Sequence, residues 1–141
     1  MNTKTKGSIG ELIVLQKCLE KGYVASVPYG DNARYDLIID TGLALLRTQV
    51  KYVTPKNCTL VQSLYTVQHN NKRLDEGQTA YTRTPYTSNE IDAVIIVDAN
   101  TKLTYFVPSS VFLGLTGISL RIDTPKNETP NIRWAKDYLV W

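Results

Sequence analysis

The sequence predicts an α/β fold: a mixed β-sheet flanked by helices. Three observations carry this. The N-terminal stretch repeats its apolar residues at helical spacing. Two strand-like runs then meet at a glycine-containing turn. A third, almost wholly apolar run turns back on a fourth.

Residues 5–22 read as one amphipathic helix. Ile9, Leu12, Ile13, Leu15 and Leu19 recur at three- and four-residue intervals, and Gly22 sits where a helix stops. Tyr23–Tyr29 carries β-branched Val24 and Val27 and leads through Pro28 into a turn at Gly30-Asp31-Asn32. Arg34–Asp40 is a short strand, Thr41-Gly42 a turn, and Leu43–Val53 the partner strand, so the pair forms a hairpin that Pro55 ends. Residues 56–90 read less simply. Thr59–Val67 alternates in part, His69-Asn70-Asn71-Lys72 has the composition of a loop, and either a hairpin or a helix with a long excursion fits. Ile91–Val97 is a buried strand, Asp98–Thr101 a turn, and Leu103–Val107 its antiparallel return. Pro108-Ser109-Ser110 opens a short helix that runs to about Gly114, and Ile118–Ile122 is the last strand. Residues 123–131 form a loop. Trp134, Tyr138, Leu139 and Trp141 give the C-terminus enough apolar area to dock.

The chain's 141 residues form a single domain, 1–141. Hydrophobic residues make up 43% and charged residues 21%, which excludes a disordered tail or a disulfide scaffold. No apolar run approaches the roughly 20 residues that cross a bilayer. The basic N-terminus lacks the apolar core of a signal peptide. Cys18 and Cys58 read as reduced packing thiols of a cytoplasmic protein, and two Cys with one His do not make the usual zinc site. The net charge of +3 is unevenly spread. Residues 41–89 hold six basic and two acidic side chains, a net +4, against −1 for the rest. That fits a phosphate backbone, as it also fits an ordinary solvated face.

One constellation points to chemistry. Asp36 lies early on the first hairpin strand, and Gln49-Val50-Lys51 follow on the second. Alternation puts Gln49 and Lys51 on one face, and the hairpin brings Asp36 beside it. Glu11, on the opening helix, can pack over the pair. Two carboxylates and an amide oxygen suit Mg²⁺, with Mn²⁺ as a substitute, and an ammonium beside them can meet phosphoryl charge.

The spacing resembles the PD-(D/E)XK nuclease superfamily: Asp36, twelve residues, then Gln49-Val50-Lys51. Gln49 stands where the family usually carries a carboxylate. Further stretches extend the likeness: Lys6-Gly7-Ser8-Ile9-Gly10-Glu11, the run Val27–Asp36, Glu90-Ile91-Asp92 with the strand after it, and Tyr105-Phe106-Val107-Pro108. Together, over about residues 4–110, they look like the small bacterial homing endonucleases of group I introns, and in part like archaeal Holliday-junction resolvases. The resemblance implies a restriction-endonuclease-like core and a divalent-metal endonuclease. It implies a metal held by Asp36, Gln49 and Glu11, and water attacking in line at phosphorus with Lys51 beside it. The products would be a 5′-phosphate and a 3′-hydroxyl.

For recognition, Gln62, Gln68, Asn70, Asn71, Lys72, Arg73, Gln78 and Arg83 supply base-reading side chains within 22 residues. Residues 59–90 are expected to be a DNA-contacting excursion, with 59–86 lying in the major groove. Lys56 adds charge, and Arg34 either reaches a phosphate or pairs with Asp31. Tyr65, Tyr81 and Tyr86 are core or stacking residues, and His69 is a loop residue with DNA contact as the alternative. With a radius of gyration of roughly 14 Å, one copy covers few base pairs and cuts one strand. A double-strand break asks for a homodimer, or a homotetramer on a longer site. The 110–120 region and the Trp134–Trp141 tail are the candidate interfaces. The expected partner is double-stranded DNA, with no membrane, in a bacterial cytoplasm and on the nucleoid. A junction resolvase and a catalytically silent DNA-binding protein are the competing readings.

Overall fold

The computed structural model describes residues 1–30, 32–73, 79–123 and 131–141, with the backbone alone at 68–73 and 79–81. Helix α1 (Thr3–Glu20) begins one turn's fraction earlier than its apolar pattern, because the Asn2 side chain caps it by accepting the Thr5 N–H at 2.8 Å. Its end follows the sequence closely: Lys21 is the C-cap and Gly22 takes φ 75°, the left-handed turn that glycine adopts without strain. The buried stripe is not the expected one. Gly10, Val14 and Cys18 face the sheet, Ile13 and Leu15 flank them, and Leu12 (64% exposed) and Leu19 (77% exposed) point to solvent. The small residues form the seam because α1 lies close on the sheet.

That sheet has five strands: β1 (Val24–Ser26), β2 (Leu37–Asp40), β3 (Leu45–Val53), β7 (Ala93–Asp98) and β8 (Thr104–Pro108), in spatial order β1-β2-β3-β7-β8. The β3–β7 pair is parallel and the others are antiparallel, so the sheet is mixed as expected. The β2–β3 hairpin turns through 41–44, where Gly42 takes φ 87° and donates its N–H to Asp40 Oδ1 at 2.8 Å. β7 is buried along its whole length, as a central strand with a parallel neighbour must be.

Each face of the sheet buries its own cluster. Toward α1 lie Val14, Cys18, Leu37, Ile39, Val50, Ile95 and Val97. On the other face Val53, Val94, Ile96, Tyr105 and Val107 meet Leu60, Leu64, Tyr86, Ile91, Phe112, Ile118, Leu120 and Ala135. The second cluster is roofed by β4 (Thr59–Ser63) paired antiparallel with β9 (Gly117–Arg121), by the short helix α2 (Ser109–Phe112) and by a 3₁₀ turn at Ala135–Tyr138. The C-terminus docks as expected, with the Trp141 ring 5.9 Å from that of Phe106. Much of the apolar area expected to serve self-association is therefore spent inside one chain: Phe112, Ile118, Leu120 and Ala135 are core residues.

Parallel strands need a long crossover, usually helical. Here the β3–β7 connection holds β4 and an antiparallel ribbon of β5 (Tyr65–Arg73) and β6 (Thr79–Pro85). The strand backbone continues through His69-Asn70-Asn71-Lys72, which corrects the expected loop. Charge and amide side chains in that run hid its extended geometry. The ribbon is rooted at both ends by Leu64 and Tyr86, both buried. Residues 59–63 are no part of it: they pair with β9 against the core. Of the expected loop 123–131, residues 124–130 lie outside the described residues. No described helix is long and apolar enough to cross a membrane.

Candidate active site

The site is built where β2 parts from β3. Leu37 and Thr48 are the last paired residues, and just before them the Asp36 N–H donates to Thr48 O at 2.9 Å. The Asp36 side chain then replaces the missing ladder partner, Oδ2 accepting the Val50 N–H at 2.8 Å. That bond fixes the carboxylate against β3. By the pairing parity, Asp36, Gln49 and Lys51 share one face of the sheet, while Thr48 and Val50 point to α1.

Glu11 comes from the other layer. Its neighbour Gly10 lies against β3: a Cβ there would stand 3.2 Å from Tyr52 Cβ and 3.4 Å from Val50 Cγ1. This close approach brings Glu11 within electrostatic reach of Asp36. The residues of the expected quartet thus come from three segments, two of them joined by one hairpin turn.

The electrostatics of the group are those of a crowded, partly dry site. Burial pushes the Asp36 carboxyl above its ordinary value, while the Val50 N–H and the Lys51 charge pull it back. Burial also raises Glu11, and the Asp36 charge adds to that. The Lys51 ammonium is lowered by burial and partly restored by Asp36. Among the described residues no group of three or more His, Cys, Asp and Glu could cage a metal. Mg²⁺ does not require one. It takes one or two carboxylates, keeps several waters and shares substrate phosphate. The donors fit that pattern: all are oxygens, and both carboxylates carry a burial cost that a cation would relieve.

The partners of Tyr86, Glu90, Arg47 and Asp92 near the site were not part of the sequence reading. The Tyr86 phenol is buried beside it, raised by burial and then by the charges of Asp36 and Glu90, with Arg34 opposing. Glu90 pairs with Arg34 at 3.4 Å; Asp31, the other partner considered for Arg34 beside a phosphate, lies outside the described residues. The Arg34 side chain keeps 53% of its surface exposed. Arg47, counted above with the basic surface, is instead forked onto Asp92, with Nη2 2.9 Å from Oδ1 and Nε 3.0 Å from Oδ2. The signals in the sequence were the Glu90-Ile91-Asp92 motif and the aromatic Tyr86, and no local pattern could name their partners.

The expected DNA contacts fall in three places. Gln68, Asn70, Lys72 and Arg73 stand on β5, and exposed Arg83 on β6, its guanidinium 5.1 Å over the Tyr65 ring. Gln62 is not on the ribbon: its backbone pairs with Ile118 of β9, and its Nε2 donates to Ser63 O at 3.1 Å. Lys56 is exposed in the turn between β3 and β4. The side chains of 68–81, His69 and Tyr81 included, lie outside the described residues, as does Gln78 entirely.

A family model described as PD-(D/E)XK endonuclease matches residues 1–141. Among solved structures, the chain is similar to a bacterial homing endonuclease, I-Ssp6803I, at 26% identity and a TM-score of 0.78; the match covers 98% of this chain and 88% of that one. No curated protein matches.

Proposed function

Because the chain belongs to the PD-(D/E)XK endonuclease family, we propose that it is a site-specific endonuclease of the intron-homing kind, hydrolysing phosphodiester bonds of double-stranded DNA with Mg²⁺. One observation carries the reading: Asp36, Gln49 and Lys51 share a sheet face at the β2–β3 divergence, with Glu11 brought to them by α1. The solved homing endonuclease of similar fold supports the intron-homing class.

The roles follow from the chemistry of each group. Asp36 and Glu11 offer carboxylate oxygens and Gln49 an amide oxygen to Mg²⁺, or to Mn²⁺ in its place. A cation held there would lower the pKa of a bound water and neutralise phosphate charge. Asp36 is held for this by the Val50 N–H, so it costs little reorganisation. Lys51, whose charge Asp36 favours against the cost of burial, orients the attacking water or meets charge gathering on the phosphoryl oxygens. Water adds at phosphorus, the bond to the 3′ oxygen breaks, and a 5′-phosphate and a 3′-hydroxyl remain. The β5–β6 ribbon leaves the body from Leu64 and Tyr86, beside the site, and a two-stranded ribbon fits the major groove. Each copy carries one such site, so cutting both strands takes two copies about a two-fold axis.

The test is cleavage of randomised plasmid libraries with Mg²⁺ by the parent, Asp36→Asn and Lys51→Ala. Nicking by the parent alone is expected. A parent that binds DNA without nicking would leave a silent binding protein. Cutting of four-way junctions, with linear duplex of every sequence spared, would mean a resolvase.

A further inference from the structure

The densest polar cluster among the described residues lies off the catalytic quartet. Arg47 sits on β3 two residues before Gln49 and on the same face, about 7 Å away along the strand. Its backbone N–H donates to Asp92 Oδ2 at 2.8 Å and Nε to the same oxygen at 3.0 Å, while Nη2 reaches Asp92 Oδ1 at 2.9 Å. Nη2 also donates to Ser88 O at 2.8 Å and Nη1 to Asn89 O, and the Asp92 N–H returns to Arg47 O at 2.8 Å. One guanidinium therefore holds three residues of the segment between β6 and β7. A second tie holds the same segment: Glu90 pairs with Arg34, two residues before Asp36, and takes the Thr87 N–H and hydroxyl at 3.1 Å each.

This segment is the return leg of the ribbon. It starts at Tyr86, directly after β6, and ends at β7, beside the catalytic strand. The first tie runs to β3, which carries Gln49 and Lys51, and the second to the loop residue two before Asp36. A surface ion pair would be worth little here. A guanidinium that satisfies two backbone carbonyls and both oxygens of one carboxylate instead fixes a geometry.

We propose that Arg47 is a positioning residue for cleavage: by clamping Ser88–Asp92 to β3 it sets the offset between the DNA-contacting ribbon and the catalytic face, and so decides which phosphodiester bond is cut. The inference rests on the endonuclease reading above and on the ribbon as the DNA contact. A ribbon held by one tie still offers its groove-facing side chains, so binding survives. The scissile phosphate no longer meets Asp36 and Lys51 in one place, and near-attack geometry is lost.

The experiment uses a duplex selected from a randomised library for cleavage by the parent. Arg47→Gln and Arg47→Lys remove the fork, and Asp92→Asn keeps one acceptor oxygen while losing the charge. Measured are duplex affinity without divalent metal, single-turnover cleavage with Mg²⁺, cut positions on a sequencing gel, and melting temperature. Arg47→Gln is expected to bind within about threefold of the parent. It should cut about 10- to 100-fold more slowly, with breaks spread over neighbouring phosphates. Arg47→Lys and Asp92→Asn should lie between it and the parent, and they decide the matter if Arg47→Gln does not fold. An unchanged cut position refutes the inference, whether the rate holds or falls together with affinity and melting temperature. A parent that cuts no library member sinks the endonuclease reading itself, which is a separate result.

Discussion

Gly10→Ala, set against Gly7→Ala, isolates the contact that brings α1 onto β3, the proposed catalytic strand. Both glycines lie inside α1, so both substitutions gain the same intrinsic helix preference, about 0.8–1.0 kcal/mol. Around Gly7 an added Cβ meets nothing within 4 Å, so the gain stands alone. At Gly10 the same atom arrives 3.2 Å from Tyr52 Cβ and 3.4 Å from Val50 Cγ1, and it has a third neighbour, Tyr52 Cδ2, at 3.6 Å. Tyr52 Cβ is tied to a strand backbone, so α1 must back away by a few tenths of an ångström, at a cost of about 1–3 kcal/mol for overpacking. The two variants should therefore differ by about 1–3 kcal/mol, or about 4–12 °C in melting temperature for a domain of this size. Thermal unfolding followed by circular dichroism, metal-free, reads the difference directly. Glu11 follows Gly10 and rides outward with it, so cleavage by Gly10→Ala should also slow while Gly7→Ala cuts like the parent. Equal stabilisation by both alanines would refute the close approach, and with it the account of how Glu11 reaches Asp36.

Stability should carry the signature of the raised carboxyls. A group with a raised folded pKa stabilises fully below its unfolded value and loses that stability as pH rises through the folded one, so Asp36 and Glu11 weaken the metal-free protein between mildly acidic and neutral pH. Asp36→Asn, whose amide oxygen can still accept the Val50 N–H, should unfold at higher urea than the parent at pH 7 and converge with it near pH 4; a parallel offset at both pH values argues against the burial cost. Lys51→Met keeps the stem length and removes the ammonium, and single-turnover cleavage should fall by about 10²- to 10³-fold with the fold intact; a rate within a few-fold of the parent would remove Lys51 from the chemistry. Arg83→Glu should weaken binding to a selected duplex and flatten the dependence of log affinity on log salt by about one unit per lost phosphate contact; an unchanged slope would take Arg83 off the DNA.

Much of the proposed catalytic face was legible because its logic is local. Asp36, just before β2, and Gln49 and Lys51 on β3 flank one four-residue turn, and strand alternation alone sorts Gln49 and Lys51 from Val50. The opening helix, the hairpin, the buried run Ala93–Asp98 and its return followed from periodicity and turn residues in the same way. The helix also shows where such reading slips. Large apolar residues stand on both sides of α1, and the pattern favoured Leu12 and Leu19, yet the seam runs through Gly10, Val14 and Cys18. Size complementarity to Tyr52 and Val50 selects the small residues, and that depends on a strand some forty residues away.

By itself, then, the sequence determined the opening helix, the β2–β3 hairpin, the β7–β8 pair, and which donor atoms the site offers. The tertiary structure decided everything that joins distant segments. It put β3 parallel to β7 across a crossover built of strands, paired β4 with β9, and gave Arg47 to Asp92 and Arg34 to Glu90. Short-range pattern records the period of a side chain along its own element. A parallel register, a forked ion pair or a helix seated on a strand is settled by contacts between residues about 40 positions or more apart, such as Gly10 and Tyr52 or Arg47 and Asp92, and those become visible only when the chain has closed on itself.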